Sequence, residues 1–403
     1  MKFKHFLALF SILVSAGFGY SSLQEDSTQK SSYLSVDGLQ ELREWSYGNQ
    51  LVAHDLLNSR NSEVIADLSM ANALFSAGES DNAGLIATLK DADGGAHFLL
   101  FTPTQEKNTK ELAALAAANI EGLSLEVDQE VVMFAHEEAE ADNTALLDAI
   151  LETEEPKKAV KALDTTINIA IIDSGIDTKH PDFLGLMGDS FDTTGETGDG
   201  VGHGTHMASI VAQNTNDFDG YNVSISDFKI VDNRGMGQIS DVIPALKAAI
   251  ERNIEVVNMS FGVRDDSIAL KELVNEANER GMILVAAAGN SGNDEAFYPA
   301  YYGEVIAVGS LNRANRALSS SNYGFVDIAA PGFRVRAAKA GTDYYTYKSG
   351  TSPASANVAA MAARLLTSET PEGGWNTASV LKALIAGGVE ITDGTLAGVY
   401  AVK

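Results

Sequence analysis

The chain has 403 residues, 45% of them hydrophobic and 21% charged, enough for two or three domains at about 150 residues each. Its formal charge of −27 disfavours nucleic acid and anionic membranes, which are gripped by clustered Lys and Arg. With no cysteine in the chain, disulfides, thiolate metal sites and cysteine nucleophiles are excluded.

The first five residues, Met1 to His5, include Lys2 and Lys4 and are followed by the apolar run Phe6–Ala16. Small residues stand at Ala16, Gly17 and Gly19. A basic start, a short apolar stretch and small exit residues spell a cleaved signal peptide, expected over 1–19. The run is too short to span a bilayer, which takes about 20 residues. Without a cysteine no lipoprotein anchor can form. Export to the periplasm or the cell exterior is therefore expected, with no membrane association after cleavage.

Positions 1–159 carry 26 acidic and 10 basic residues, a denser negative charge than the 29 and 18 of positions 160–403. Within this first block, His97–Phe101 and Val131–Phe134 read as strands, and Thr109–Ala118 and Thr144–Leu151 as helices. The pattern is a small α+β unit over 20–158. Its last part, Glu137–Lys158, is rich in Glu and Asp, contains Pro156, and reads as an exposed acidic linker.

From Ile167 on, apolar runs alternate with amphipathic stretches. The runs are Ile167–Ile172, Glu255–Met259, Met282–Ala288 and Val305–Val308; helical patterns fall at Asp241–Glu251 and Ile268–Arg280. Buried β-branched strands alternating with helices predict an α/β domain over 159–403, a doubly wound parallel sheet. In such sheets the site lies past the carboxyl ends of the strands.

Three motifs lie just past such ends. Asp173 closes the run Ile171-Ile172-Asp173 and is followed by Ser174-Gly175; alone, it reads as a turn-capping acid. His203 stands in Gly202-His203-Gly204-Thr205-His206. Two histidines three apart could suggest zinc, but Asp199 is the sole further ligand nearby and no HExxH is present. The glycines at 200–204 lack a preceding strand, so a dinucleotide loop is poorly supported. Ser352 stands in Ser349-Gly350-Thr351-Ser352-Pro353 before an Ala-rich helix, where a serine is most often an N-cap. Taken together the three make chemical sense. A serine hydroxyl needs a base to attack at neutral pH, histidine is that base, and a carboxylate fixes its tautomer.

The stretches DSGID, HPDF, GHGTH, NMSFG, AAAGN, IAAPG and GTSPASANVA, in this order, closely resemble the subtilisin-like serine proteases, or subtilases, over roughly 160–403. The resemblance implies a secreted serine endopeptidase with Asp173, His203 and Ser352 as its triad and an acyl-enzyme as its intermediate. It adds Asn290 as oxyanion donor. It makes Gly235-Met236-Gly237 and Ser260-Phe261-Gly262 the strands that flank a bound peptide, and Ala288 and Gly289 a wall of the S1 pocket. Phe297, before Tyr298-Pro299, stands at the pocket floor. An inward ring there would fill the space of a substrate Phe or Tyr and leave a preference for small or medium P1 side chains; an outward ring would fill nothing.

No cofactor is implied for the chemistry. Asp182, in His180-Pro181-Asp182-Phe183, aligns with a calcium ligand of the family, but the loop between His206 and Phe228 that would supply the others is short. Pro353, Ala356 and Asn357 depart from the family pattern without touching a reacting atom. The resemblance also makes the 20–158 block a pro-domain, an intramolecular inhibitor that assists folding and is then removed. The acidic stretch predicts removal by a cut between Leu151 and Thr166. Two rival readings are a non-catalytic binding protein on the same scaffold, which would be expected to lack one of the four groups, and an N-terminal block kept as a recognition domain.

Overall fold

A computed structural model of the chain describes residues 51–55, 84–90, 96–103, 124–134, 136–137, 166–216, 218 and 221–402. All lie within one compact unit, Tyr33–Lys403; the other unit, Met1–Ser32, falls outside them. The expected signal peptide, the helices at 109–118 and 144–151 and the linker beyond Glu137 also lie outside the described residues.

The first described strands are β1 (Leu51–Asp55), β2 (Leu85–Lys90), β3 (Ala96–Pro103) and β4 (Ser124–Val127). They form one antiparallel sheet in the order β1-β3-β2-β4. The predicted strand at 97–101 is the middle of β3. Ile86, Phe98 and Leu100 are buried against the second block. Two short strands follow, β5 (Val132–Met133) and β6 (His136–Glu137), and neither pairs within this sheet.

The second block is built on β7 (Thr166–Asp173), β8 (Met187–Asp192), β9 (Asn222–Lys229) and β10 (Val256–Met259). The short β11 (Phe261–Gly262) follows, then β12 (Ile283–Ala287), β13 (Ile306–Leu311) and β14 (Ile328–Pro331). A hairpin comes next, β15 (Val335–Ala338) and β16 (Tyr345–Ser349), and last β17 (Val389–Glu390) and β18 (Tyr400–Ala401). Nine of these form the main sheet in the order β17-β18-β14-β13-β12-β10-β7-β9-β8, parallel throughout except for β17. This is the expected doubly wound arrangement.

Both faces of the sheet are covered, so its central strands are apolar on both sides. Along β7 the pleat sends Ile167, Ile169 and Ile171 into one core and Ala170 and Ile172 into the other. The first core holds α1 (His203–Thr215), α4 (Thr351–Leu366) and α5 (Thr377–Gly387). The second holds α2 (Ile239–Glu251) and α3 (Ile268–Glu279), on which the N-terminal sheet also packs. The helix α4 is lined with alanines, of which Ala354, Ala356, Ala359, Ala360, Ala362 and Ala363 are buried. Small side chains let its backbone approach α1 and the sheet closely.

The chain leaves β7 for β8 and β9 on one side and returns to β10 on the other. The sheet thus switches direction at β7, and the carboxyl end of β7, at Asp173, lies at the crevice where such sheets bind ligands.

Candidate active site

The carboxyl end of β7 delivers Asp173 fully buried. Its Oδ1 accepts from His203 Nδ1 at 2.7 Å and from the amide of Ser174 at 2.7 Å. His203 opens α1 behind Gly202, whose φ of 74° turns the chain sharply into the helix. The pair is 3% and 0% exposed. With Nδ1 bound to a carboxylate, the proton sits on that nitrogen and Nε2 is left as the basic atom. Nε2 has no hydrogen-bond partner. Ser352 sits in the first turn of α4, and its hydroxyl donates to the carbonyl of Ser260 at 3.0 Å.

Gly350, just before α4, has a φ of 138°. A Cβ there would stand 2.4 Å from Asn290 Nδ2 and 2.7 Å from the carbonyl oxygen of Phe134. Only glycine lets these groups meet. Asn290 Oδ1 accepts from the amide of Thr351 at 3.0 Å and from its hydroxyl at 3.1 Å. That turns Nδ2 outward, where it donates to the Phe134 carbonyl at 2.7 Å. The amide of Ser352 donates to the same oxygen at 3.2 Å. Two donors thus converge on one peptide carbonyl of the chain itself, in the arrangement that stabilises a developing oxyanion.

The segment leading to Phe134 lies in the cleft as an added strand. On one side Val131 N donates to Gly237 O at 2.8 Å, Ile239 N to Gln129 O at 3.0 Å, and Glu130 pairs with Gln238. On the other side β5 pairs antiparallel with β11, Met133 opposite Phe261 and Val132 opposite Gly262, and Phe134 N donates to Ser260 O at 3.3 Å. The predicted segment Ser260–Gly262 is one of these walls. Of the other, Gly237 pairs with the strand, whereas Gly235 and Met236 form a turn closed on Asp232. Gln238, which no sequence motif marks, completes this wall. Beyond Phe134, β6 pairs with β16, His136 opposite Ser349.

The Phe134 side chain is buried with Ala287 and Phe297. The two rings meet edge to face, 4.8 Å apart at 76°, the favoured geometry for an aromatic pair. Phe297 is thus inside the pocket, yet the pocket holds a second phenyl ring. From the sequence, an inward Phe297 is expected to leave room for small or medium P1 side chains only; the depth that glycines leave admits the Phe134 ring against it. A Cβ at Gly262 would meet the Phe134 ring at 2.7 Å, and one at Gly289 the Phe297 ring at 2.8 Å. Ala288 is fully buried beside Gly289, its amide held by Val308 O at 3.0 Å.

Asp182 has hydrogen-bond donors around it rather than metal-type oxygens. Oδ2 accepts from Ser209 Oγ and from Gln213 Nε2 at 2.8 Å, and Oδ1 from Tyr345 Oη at 2.8 Å. A calcium ion needs six to eight oxygen lone pairs facing it; these O–H and N–H groups occupy the carboxylate instead, so the residues present do not fit the ion. His180 is buried between the rings of Phe183 and Tyr345, its Nε2 against Tyr344 O at 3.1 Å. His206, the second histidine of GHGTH, is buried too. Burial, then the neighbouring Lys348 charge, push its imidazole down to about 3, so it is neutral. Among the described residues no cluster of three or more His, Asp or Glu side chains could hold a metal.

Two acids of the N-terminal block reach onto the second. Glu126 accepts from Ser267 Oγ and from the amides of Ile268 and Ala269, at the start of α3. Asp128 accepts from the amide and hydroxyl of Ser240, at the start of α2. Each supplies acceptors for helix-end donors left without intrahelical partners.

The profile of the subtilase family matches residues 164–390, more than half of the chain. Over 227 residues the chain is 39% identical to a subtilisin from Bacillus pumilus, covering 54% of this chain and 81% of that one. It is 36% identical to thermitase from Thermoactinomyces vulgaris over 244 residues, 58% and 84% of the two chains. A thermophilic serine proteinase from Bacillus sp. strain AK1 is 40% identical over 206 residues; the match spans 49% of this chain and 51% of that relative. The fold, the buried Asp–His pair and the family match agree, and the chain belongs to the subtilase family of serine peptidases.

Proposed function

We propose that this protein is an exported serine endopeptidase, made as a precursor that cuts its own chain after Phe134. The observation that carries this reading is the Phe134 carbonyl, held by Asn290 Nδ2 and the Ser352 amide while its strand is paired on both sides.

In the reaction, the Ser352 hydroxyl turns from Ser260 O toward His203 Nε2. Oγ attacks the carbonyl carbon as its proton passes to Nε2. The negative charge moves onto the carbonyl oxygen, where Asn290 and the Ser352 amide stabilise it, and Asp173 holds the imidazolium that forms. Collapse breaks the C–N bond, and the leaving amine takes the proton from His203. Water, deprotonated by the same imidazole, then hydrolyses the acyl-enzyme. Peptides supplied from outside occupy the same cleft once the N-terminal segment departs, and a phenyl-deep pocket selects an aromatic P1 side chain.

This reading ends the pro-domain at Phe134, upstream of the cut expected at 151–166 and of the boundary at 158. The acidic composition of 137–158 signals exposure, but the cleft is occupied by 129–134. The basic start and apolar run of the first 19 residues support export. Among the described residues no helix is long and apolar enough to cross a membrane. Calcium at Asp182 has no place in the proposal.

Intact-mass measurement during maturation tests it. The earliest products should end at Phe134 and begin at Ala135, and Ser352→Ala should leave that bond whole. A first cut within 151–166, or processing by Ser352→Ala, would overturn it.

A further inference from the structure

Asp199 lies outside the family motifs and outside the reaction as described, yet it is the most heavily hydrogen-bonded carboxylate beside the Asp173–His203 pair. Its Oδ1 accepts from Ser174 Oγ at 2.8 Å, from Val201 N at 3.1 Å and from Gly202 N at 2.7 Å. Its Oδ2 accepts from Thr205 N at 2.9 Å and Thr205 Oγ1 at 2.6 Å. The donors come from two places. Ser174 follows Asp173 at the end of β7. Gly202 precedes His203 and Thr205 follows it by two.

Two further bonds close the lattice. Ser174 Oγ, donating to Asp199, accepts from Gly204 N at 2.9 Å, and Thr205 Oγ1 accepts from Asp177 N at 2.9 Å. The backbone is pressed together at the same point: a Cβ on Gly204 would stand 2.3 Å from Gly175 O and 3.1 Å from the Asp173 side chain. Gly202, at the N-cap of α1, has no side chain with which to cap the helix. Asp199 therefore does this from outside the helix, and the same carboxylate grips the turn that carries Asp173.

We propose that Asp199 is a positioning residue for proton transfer, the carboxylate that locks the Asp173 turn to the His203 helix start and so fixes the imidazole against its acid. A helix cap alone would serve stability. The bond to Ser174, on a different element, is what links it to catalysis. Displacement of a catalytic group by about 1 Å costs about 10² in rate, and hydrogen bonds to an ionised acceptor are the stronger and shorter kind. The inference rests on the triad reading above.

Mature wild type, Asp199→Asn, Ser174→Ala and Ser352→Ala are compared on one fluorogenic peptide, with active sites counted by a serine-directed phosphonate. An amide at 199 loses the charge and turns an N–H pair toward donors. Asp199→Asn should lower kcat by about 10- to 100-fold with KM within about threefold, and move the acid limb of the kcat/KM profile to lower pH as a nearby negative charge is lost. Ser174→Ala, which keeps the bonds of Asp199 to Val201, Gly202 and Thr205 but removes its link to the Asp173 turn together with the Gly204 N–Ser174 Oγ bond, should lower kcat by a smaller factor. If Asp199→Asn does not mature, Ser174→Ala decides, and an unchanged kcat there overturns the proposal. So does a lowered melting temperature in Asp199→Asn with kcat and pH profile unchanged, which is capping alone. Persistent hydrolysis by Ser352→Ala would instead sink the triad reading.

Discussion

Two stretches meet in the cleft and are held there by opposite means. The start of α4 with Ser352 is fixed by burial: six alanines of that helix lie in the core, and Ser352 has no exposed surface. The segment 126–134 is fixed mostly by main-chain hydrogen bonds to Gly237, Gln238 and Ser260–Gly262, and by the carboxylates of Glu126 and Asp128 on two helix ends. Its apolar anchors are few, chiefly Val131 and Phe134. Apolar burial of a large surface cannot be undone without unfolding the domain. Main-chain pairing and capping can be exchanged for water or for another peptide. On the proposed reading, the contrast separates what must stay from what must leave, so that one cleft can serve an intramolecular strand first and outside substrates later.

The sharpest way to break this comparison is Ser352→Ala. Loss of the nucleophile costs about 10⁶ in kcat in subtilisin itself. The precursor should persist with 129–134 in the cleft, seen as slow amide exchange at Val131 and Phe134. Fast exchange there in an uncleaved chain would mean that the segment does not occupy the site.

Asn290→Ala removes one of the two donors on the Phe134 carbonyl. The scale known for this loss in subtilisin is roughly 10²–10³ in kcat. Processing and peptide hydrolysis should slow together, with KM little changed, in stopped assays of both reactions. Slowing of one reaction without the other would show that the two carbonyls do not share a site.

Gly262→Ala puts a methyl into the ring of Phe134. Overpacking by one methyl costs typically 1–3 kcal/mol, so kcat/KM for a P1 Phe peptide should fall tenfold to a hundredfold relative to P1 Ala. Equal losses on both peptides would mean that Phe134 does not report the S1 pocket.

The smallest effect concerns the caps. Burial, opposed in part by the Ser240 hydrogen bonds, leaves Asp128 raised to about 6. Burial and the charge of Asp128 raise Asp241 to about 8. A carboxyl raised in the folded state holds its proton more tightly there than when unfolded. Each contribution is full below the unfolded value of about 4 and is lost as pH rises from there; the Asp128 step is complete by about 6 and the Asp241 step by about 8. Asp128→Asn in the Ser352→Ala precursor should flatten the first step, by on the order of 2 kcal/mol between pH 4 and 7, read as a smaller fall in melting temperature. The mature enzyme, lacking Asp128, should lose less stability than the precursor between pH 4 and 6. A mature enzyme that loses as much stability between pH 4 and 6 as the precursor does would place the step elsewhere.

Much of this is legible in the amino-acid sequence alone. The stretch Ile169–Ile172 of β7 is apolar at every position because helices cover both faces, so the run itself announces a buried parallel strand. Asp173, His203, Asn290 and Ser352 stand within two residues of glycines whose backbone freedom their placement requires, and such short motifs are local properties of the chain. The run Val131–Phe134 also reads as a strand, but period-two patterning is silent about the partner. Pairing with Gly237 and Gly262, more than 100 residues away, is a tertiary event; composition points to a cut in the acidic stretch, and the proposed cut after Phe134 rests on that pairing. The inward ring of Phe297 is one of two rotamers the sequence allows. Whether it closes the pocket depends on the depth left by Gly262 and Gly289, which is set by how two separate loops face each other. Asp182 and Asp199 are both isolated acids in the sequence. One is wrapped by hydroxyl and amide donors and the other ties two elements together, because the fold alone decides which donors arrive at a carboxylate.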